Sequence, residues 1–212
     1  MSIFKDKEFK TRLLLTLVGV PLTGVAVAFF NVSGFGVDPF TLMVQGIDNL
    51  LPVSYGLTYV IISAVELMVI LFLDRSLIGI GTLINMFLLG YINQYTSSLL
   101  RFLFNEELLY VRIIFLIVGI VLQGFCLAMY FTGDLGVSTH DAMSLIPPKK
   151  IPKIKFSYCR IISDAFCTVV GIICGGTFGI GTIIAAFAIG PLVSLIRRNL
   201  TDRLRPSLIQ TK

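Results

Sequence analysis

Six apolar runs, near 13–30, 56–73, 77–98, 109–131, 156–175 and 178–196, constrain this chain more than any other feature. Each is close to the roughly 20 residues a helix needs to cross the hydrocarbon core of a bilayer. Unpaired backbone groups are costly in lipid, so a spanning segment has to be a helix or a strand of a closed barrel. The runs lack the strict alternation of barrel strands, so an all-α polytopic membrane protein with six transmembrane helices is expected. The chain is 56% hydrophobic and only 14% charged, against about 25% charged in a soluble domain. So few charges do not cover a water-facing surface on 212 residues, and the lipid bilayer is the expected partner of most of this surface.

Basic residues set the expected orientation. With the N-terminus inside, the inner face receives Lys5, Lys7, Lys10, Arg12, Arg75, Lys149, Lys150, Lys153, Lys155, Arg160, Arg197, Arg198, Arg203, Arg205 and Lys212, leaving Arg101 and Arg112 outside. Both termini are then cytoplasmic. The net charge of +5 reads as a topology signal and gives no reason to expect nucleic acid. The first 12 residues are too polar for a cleaved signal peptide. The four cysteines lie in or beside apolar runs and read as small buried side chains, without zinc-site pairing. No metal and no cofactor is expected.

The chain also repeats itself. A shift of 100 residues, comparing 10–100 with 110–200, gives 22 identities in 91 positions, roughly three times what random matching at this composition gives. Arg12 meets Arg112, Gly36-Val37 meets Gly136-Val137, and Gly79-Ile80-Gly81-Thr82 meets Gly179-Ile180-Gly181-Thr182. Six glycines coincide. Three spans per half is an odd number, so the second half enters the bilayer from the opposite side. Two inverted-topology three-helix repeats are expected within a single domain over 1–212: repeat one at 10–100, repeat two at 110–200, and a cytoplasmic tail at 201–212.

Two breaks interrupt each half. Asp38-Pro39 is a good helix start, a cap followed by a residue with no N–H to lose. The stretch 40–51 that follows is too short to cross and should be re-entrant or interfacial. Its counterpart from Ser138-Thr139-His140-Asp141 is expected to stop at Pro147-Pro148 and to be shorter still. The second break is the Gly-Ile-Gly-Thr motif. One reading is close helix packing through small residues. The other is a half-helix start whose free N–H groups face a substrate or ion.

Gly34-Phe35-Gly36-Val37-Asp38-Pro39-Phe40, followed by Leu77-Ile78-Gly79-Ile80-Gly81-Thr82-Leu83-Ile84-Asn85-Met86-Phe87-Leu88-Leu89-Gly90, resembles the bacterial YczE/YyaS/YitT group of integral membrane proteins, closest to its YczE-like branch. The resemblance covers most of the chain, with Ser138-Thr139 departing from the Asp-Pro pattern. It implies a bacterial cytoplasmic membrane protein and carries no catalytic residues.

A charge inside a span is a functional candidate by default. Glu66 sits mid-span with no cation on its own helix, and desolvation there favours the neutral form a proton carrier needs. Asp164 has Arg160 one turn earlier, an ion pair that explains both residues without a functional role. Asp38, Asp134 and Asp141 read as caps, and their charge argues against anion binding at those helix starts. His140 reads as a polar loop residue beside a break. Asn85, Asn93, Gln94 and Gln123 suit helix contacts or a cavity lining. The expected substrate or ion path is Glu66, Asp38, Gly79, Gly81, Thr82, Gly179, Gly181 and Thr182. The leading expectation is a small secondary transporter or permease for an unidentified small polar solute, with proton coupling as an option. The alternative is a non-transporting accessory or regulatory subunit of another complex. No enzyme is expected, and homo- or hetero-oligomerisation stays open.

Overall fold

A computed structural model describes residues 2–104, 108–151 and 153–204, with side chains for 9–104, 108–151 and 153–200. The tail expected at 201–212 lies outside it beyond the backbone of 201–204. The side chains of Lys5, Lys7, Arg203, Arg205 and Lys212 are likewise outside the described residues.

The described residues form α-helices and no strand: α1 (Ser2–Ser33), α2 (Pro39–Asp48), α3 (Tyr55–Leu73), α4 (Ile80–Leu103), α5 (Leu109–Gly133), α6 (Thr139–Lys150), α7 (Phe156–Ile173) and α8 (Ile180–Leu204), with one 3-10 turn at Arg75–Leu77. Among the described residues, five segments are long and apolar enough to cross a membrane: Phe9–Ser33, Tyr55–Leu73, Leu109–Gly133, Phe156–Ile173 and Ile180–Leu200. The sixth expected span forms α4, which has the length at 24 residues but is not among the segments apolar enough. Asn85, Asn93 and Gln94 lower its hydropathy, and Asn85 and Asn93 are buried.

The order of elements repeats at the offset the sequence repeats, so α1–α4 correspond to α5–α8. The two corresponding first helices cross antiparallel and close together. Gly19 of α1 lies against Cys126 and Tyr130 of α5, and Gly119 of α5 lies against Ala26 and Phe30 of α1. Such small-residue contacts are what hold helices together where lipid supplies no hydrophobic drive. The ends are tied reciprocally too. Arg12 Nε donates to Gly133 O at 2.9 Å, at the end of α5. Arg112 Nε donates to Ser33 O at 2.8 Å and Nη2 to Gly34 O at 2.9 Å, at the end of α1. Each guanidinium takes carbonyls that the last helical turn leaves open and meets the negative end of that helix.

The half-length helices reverse one expectation. α2 has 10 residues and α6 has 12, so the second is the longer. Pro147 and Pro148 lie inside α6 rather than ending it. A proline loses a donor but keeps its carbonyl, and Pro147 O accepts from Ile151 N at 2.8 Å to close the last turn. Both short helices pack on the other half: α2 against α7, and α6 against α3 as well as its own α7.

At the foot of α3, Lys149 Nζ donates to Asp74 Oδ2 at 2.6 Å and to Ser76 Oγ. The Lys149 ammonium first, and the Ser76 hydroxyl and amide next, hold the Asp74 carboxyl at about 2, below its ordinary 3.8. A lowered carboxylate favours the folded state above its ordinary value, and that contribution disappears as pH falls through about 2. In an NMR titration of Asp74, Lys149→Ala is expected to move the midpoint back toward 3.8; an unmoved midpoint would show that Ser76 alone sets it.

Candidate functional site

Each short helix starts with a side-chain cap. Asp38 Oδ2 accepts from Thr41 N at 3.2 Å, and Ser138 Oγ accepts from Asp141 N at 3.1 Å. Both caps are buried, whereas the far ends, at Leu50 and at Lys149, are exposed. The two N-terminal ends, one from each half, therefore face a common interior. They border a cavity of about 40 Å³, lined from α2 by Asp38, Phe40 and Thr41 and from α6 and its cap by Ser138, His140 and Asp141. Thr23 of α1, Tyr59 of α3, Asn85 of α4, Gln123 of α5 and Arg160 of α7 complete the polar lining.

The side chains around this cavity form a continuous network. Arg160 pairs with Asp141 and, at 3.2 Å, with Asp164. Asp141 also accepts from the hydroxyls of Tyr130 and, at 2.5 Å, Ser138. His140 Nε2 lies 3.0 Å from Asp164 Oδ1, and its Nδ1 lies 3.8 Å from Glu66 Oε1. Thr139 Oγ1 donates to Glu66 Oε2 at 2.7 Å. Phe40 stacks on the His140 ring with centroids 4.7 Å apart. Tyr59 donates to Asn85 Oδ1 at 2.9 Å.

A second polar strip lies two turns further along α2 from Asp38, within the first half. Gln45 Nε2 donates to Asn31 Oδ1 at 2.9 Å, and Asn31 Nδ2 donates to Asn93 Oδ1 at 2.6 Å. The corresponding positions of the second half are Phe131, Leu145 and Val193, which pack in the largest apolar cluster. The sequence repeat hides this asymmetry, because the polar residues have no identical partner at the 100-residue shift.

Several expectations change. His140 is a buried residue of the first turn of α6 and not a loop residue, because Phe40 covers it while Asp164 and the Cys167 thiol partner its two nitrogens, with Glu66 close by. The Arg160–Asp164 pair exists, but both residues are buried and shared with Asp141 and His140, so it is not an isolated helix pair. Asp134 ends α5 in a left-handed conformation and pairs with Arg12.

Of the expected path residues, Asp38 lines the cavity and Glu66 joins the network beside it. The two Gly-Ile-Gly-Thr motifs are placed elsewhere, clamping the opposite half. Gly81 N donates to Leu135 O at 2.8 Å, and Gly181 N to Phe35 O at 2.7 Å. Thr82 accepts from Gly79 N at 3.1 Å and donates to Val137 O at 2.7 Å, while Thr182 accepts from Gly179 N at 3.4 Å. These first N–H groups are thus taken by the protein's own oxygens. The packing reading fits them, and Gly79, Gly81, Thr82, Gly179, Gly181 and Thr182 hold in place the loops that precede the two short helices.

Comparison with known proteins gives a family without an activity. The model of a family of unknown function, DUF6198, matches residues 10–198. An uncharacterized protein of Haemophilus influenzae is 28% identical over 186 residues, which cover 88% of this chain and 83% of that protein. No solved structure matches.

Proposed function

The chain belongs to the DUF6198 family of unknown function, and from its interior we propose that it is a small secondary transporter carrying a small polar solute across a bacterial cytoplasmic membrane. The observation that carries this is the meeting of two half-length helix starts, one from each half, on a polar cavity also lined by five other helices. Transporters of inverted-repeat design place their site at the repeat interface, beside interrupted helices. The antiparallel crossing of α1 and α5 and the reciprocal Arg12 and Arg112 caps support two halves of opposite orientation. α4 serves as the sixth span in this reading, its buried asparagines facing protein rather than lipid. α2 and α6 are re-entrant, entering from opposite faces. The likeness to YczE-type proteins belongs to the same reading, as does the cytoplasmic placement of both termini.

Proton coupling is part of the proposal. Glu66, His140, Asp164, Arg160 and Asp141 form an unbroken run of ionisable contacts. A non-transporting accessory subunit would be better served by a dry, apolar interior than by this one.

The test is solute flux in proteoliposomes of the purified chain, screened over cations, anions and neutral metabolites with and without a pH gradient. Flux of one solute class is expected, with Glu66→Gln slowing it at least tenfold while the variant still binds and folds. Absence of flux for every class, together with retention of one partner protein through purification, would move the chain to the accessory reading.

A further inference from the structure

Buried polar groups in folded proteins almost always have hydrogen-bond partners, and an exception calls for a ligand or water. Asp38 is 5% exposed and Gln123 is 4% exposed. Asp38 Oδ1 and Gln123 Oε1 have no partner within the protein. Both side chains line the central cavity, and both free atoms are acceptors.

The cavity's cationic side chains and its tyrosine hydroxyl are already engaged. Arg160 is held by Asp141 and Asp164, His140 by Asp164 and Cys167, and the Tyr59 hydroxyl by Asn85. Four carboxylates thus face one guanidinium and one imidazole, so with its carboxylates ionised the cluster is net negative in either protonation state of His140. An anion meets lone pairs and excess negative charge here, whereas a cation meets two open oxygens.

Size narrows the class. About 40 Å³ compares with the roughly 10–15 Å³ one water requires, which leaves room for a small ion and a water or two. With one open carboxylate oxygen, and among the described residues no group of three side chains set to ligate a metal, the site suits a single positive charge. Resting on the transporter reading, we infer that the solute is a small monovalent cation, of alkali-metal or ammonium type, held by Asp38 Oδ1 and Gln123 Oε1. Its approach follows the polar strip of the first half, where Gln45 Oε1 and Asn93 Nδ2 are also buried without protein partners. The matching positions Phe131, Leu145 and Val193 seal the other side.

The test is thermal unfolding of the full-length chain in detergent, with lithium, sodium, potassium or ammonium chloride against N-methylglucamine chloride at equal ionic strength. One small cation is expected to raise the midpoint saturably. Asp38→Asn keeps the cap acceptor and is expected to weaken the cation's apparent affinity at least tenfold; Gln123→Met weakens it about tenfold while unfolding near the wild-type midpoint in N-methylglucamine. The inference is overturned if Asp38→Asn keeps the full cation response, if the midpoint follows pH alone, or if only anions or neutral solutes stabilise the chain. Proteoliposome flux separates the two ideas. Flux of a neutral or anionic solute that survives Asp38→Asn removes the cation class and leaves the transporter. Cation binding lost in Asp38→Asn, without flux of any solute, keeps the site and removes the transporter.

Discussion

Arg160→Met is expected to cost about 3–5 kcal/mol of stability, because removing one partner of a buried ion pair strands the other. Asp141 is stranded here and Asp164 is left with His140 alone, both buried. The stranded charge sits at the foot of α6, so the short helix itself should loosen. Denaturant titration of the purified protein in detergent reads the loss. Adding Asp141→Asn and Asp164→Asn to Arg160→Met removes the unpaired charge and is expected to recover most of the stability, since coupled residues do not add. A single variant that unfolds within about 1 kcal/mol of wild type, well below the cost of a stranded buried charge, would mean that the pair is solvated and the cavity wide open.

Gly36→Ala and Gly136→Ala should be comparably damaging, and alike. Gly36 has φ +101° and Gly136 φ +100°, where a side chain is strained whatever the space. A methyl on Gly36 would also lie 2.6 Å from Gly179 N, and one on Gly136 would lie 2.5 Å from Gly79 N. Backbone strain and overpacking together suggest ~4 kcal/mol for each. The near-equality is the sharper part of the prediction, since the two turns make the same contact from opposite halves. Gly190→Ala is the contrast: nothing lies within 4 Å of its added methyl, and alanine in a helix is favoured over glycine by about 0.5–1 kcal/mol. If Gly136→Ala unfolds like wild type while Gly36→Ala does not, the clamp at 79–82 is dispensable.

Much of the helical frame was legible in the sequence. Spans of ~20 apolar residues have few alternatives in lipid, and the aligned glycines of the repeat recur as matched contacts, except Gly90, which packs on Tyr59, and Gly190, which has open space. Asp38 could be placed as a cap because Asp-Pro has one strong local meaning, and Glu66 stood out because a mid-span carboxyl is expensive. The rest depended on distance in three dimensions. His140 and Asp141 look like break residues until Phe40 and Arg160, about 100 and 20 positions away, are folded against them. Arg160 and Asp164 were visible as a helix pair, and nothing local shows that a third acid joins them. The Gly-Ile-Gly-Thr motifs carried two meanings, helix start and close contact. The backbone fits the close-contact meaning, because Leu135 O and Phe35 O take the Gly81 and Gly181 N–H groups.

The reciprocal packing of the halves also sets an order of events during synthesis. Asn49, at the end of α2, donates to Gly175 O, 126 positions later. A ribosome adding roughly 5–20 residues per second needs on the order of ten seconds to cover that interval. Until then α2 lacks its partner α7, and its polar tip at Asp38 waits for Ser138 and Arg160, which share its cavity, to emerge. Neither half can close alone, so a truncated or stalled product presents unmatched helix ends. Closure of this fold is therefore a late event that waits for both halves, and every unfinished copy is an open intermediate.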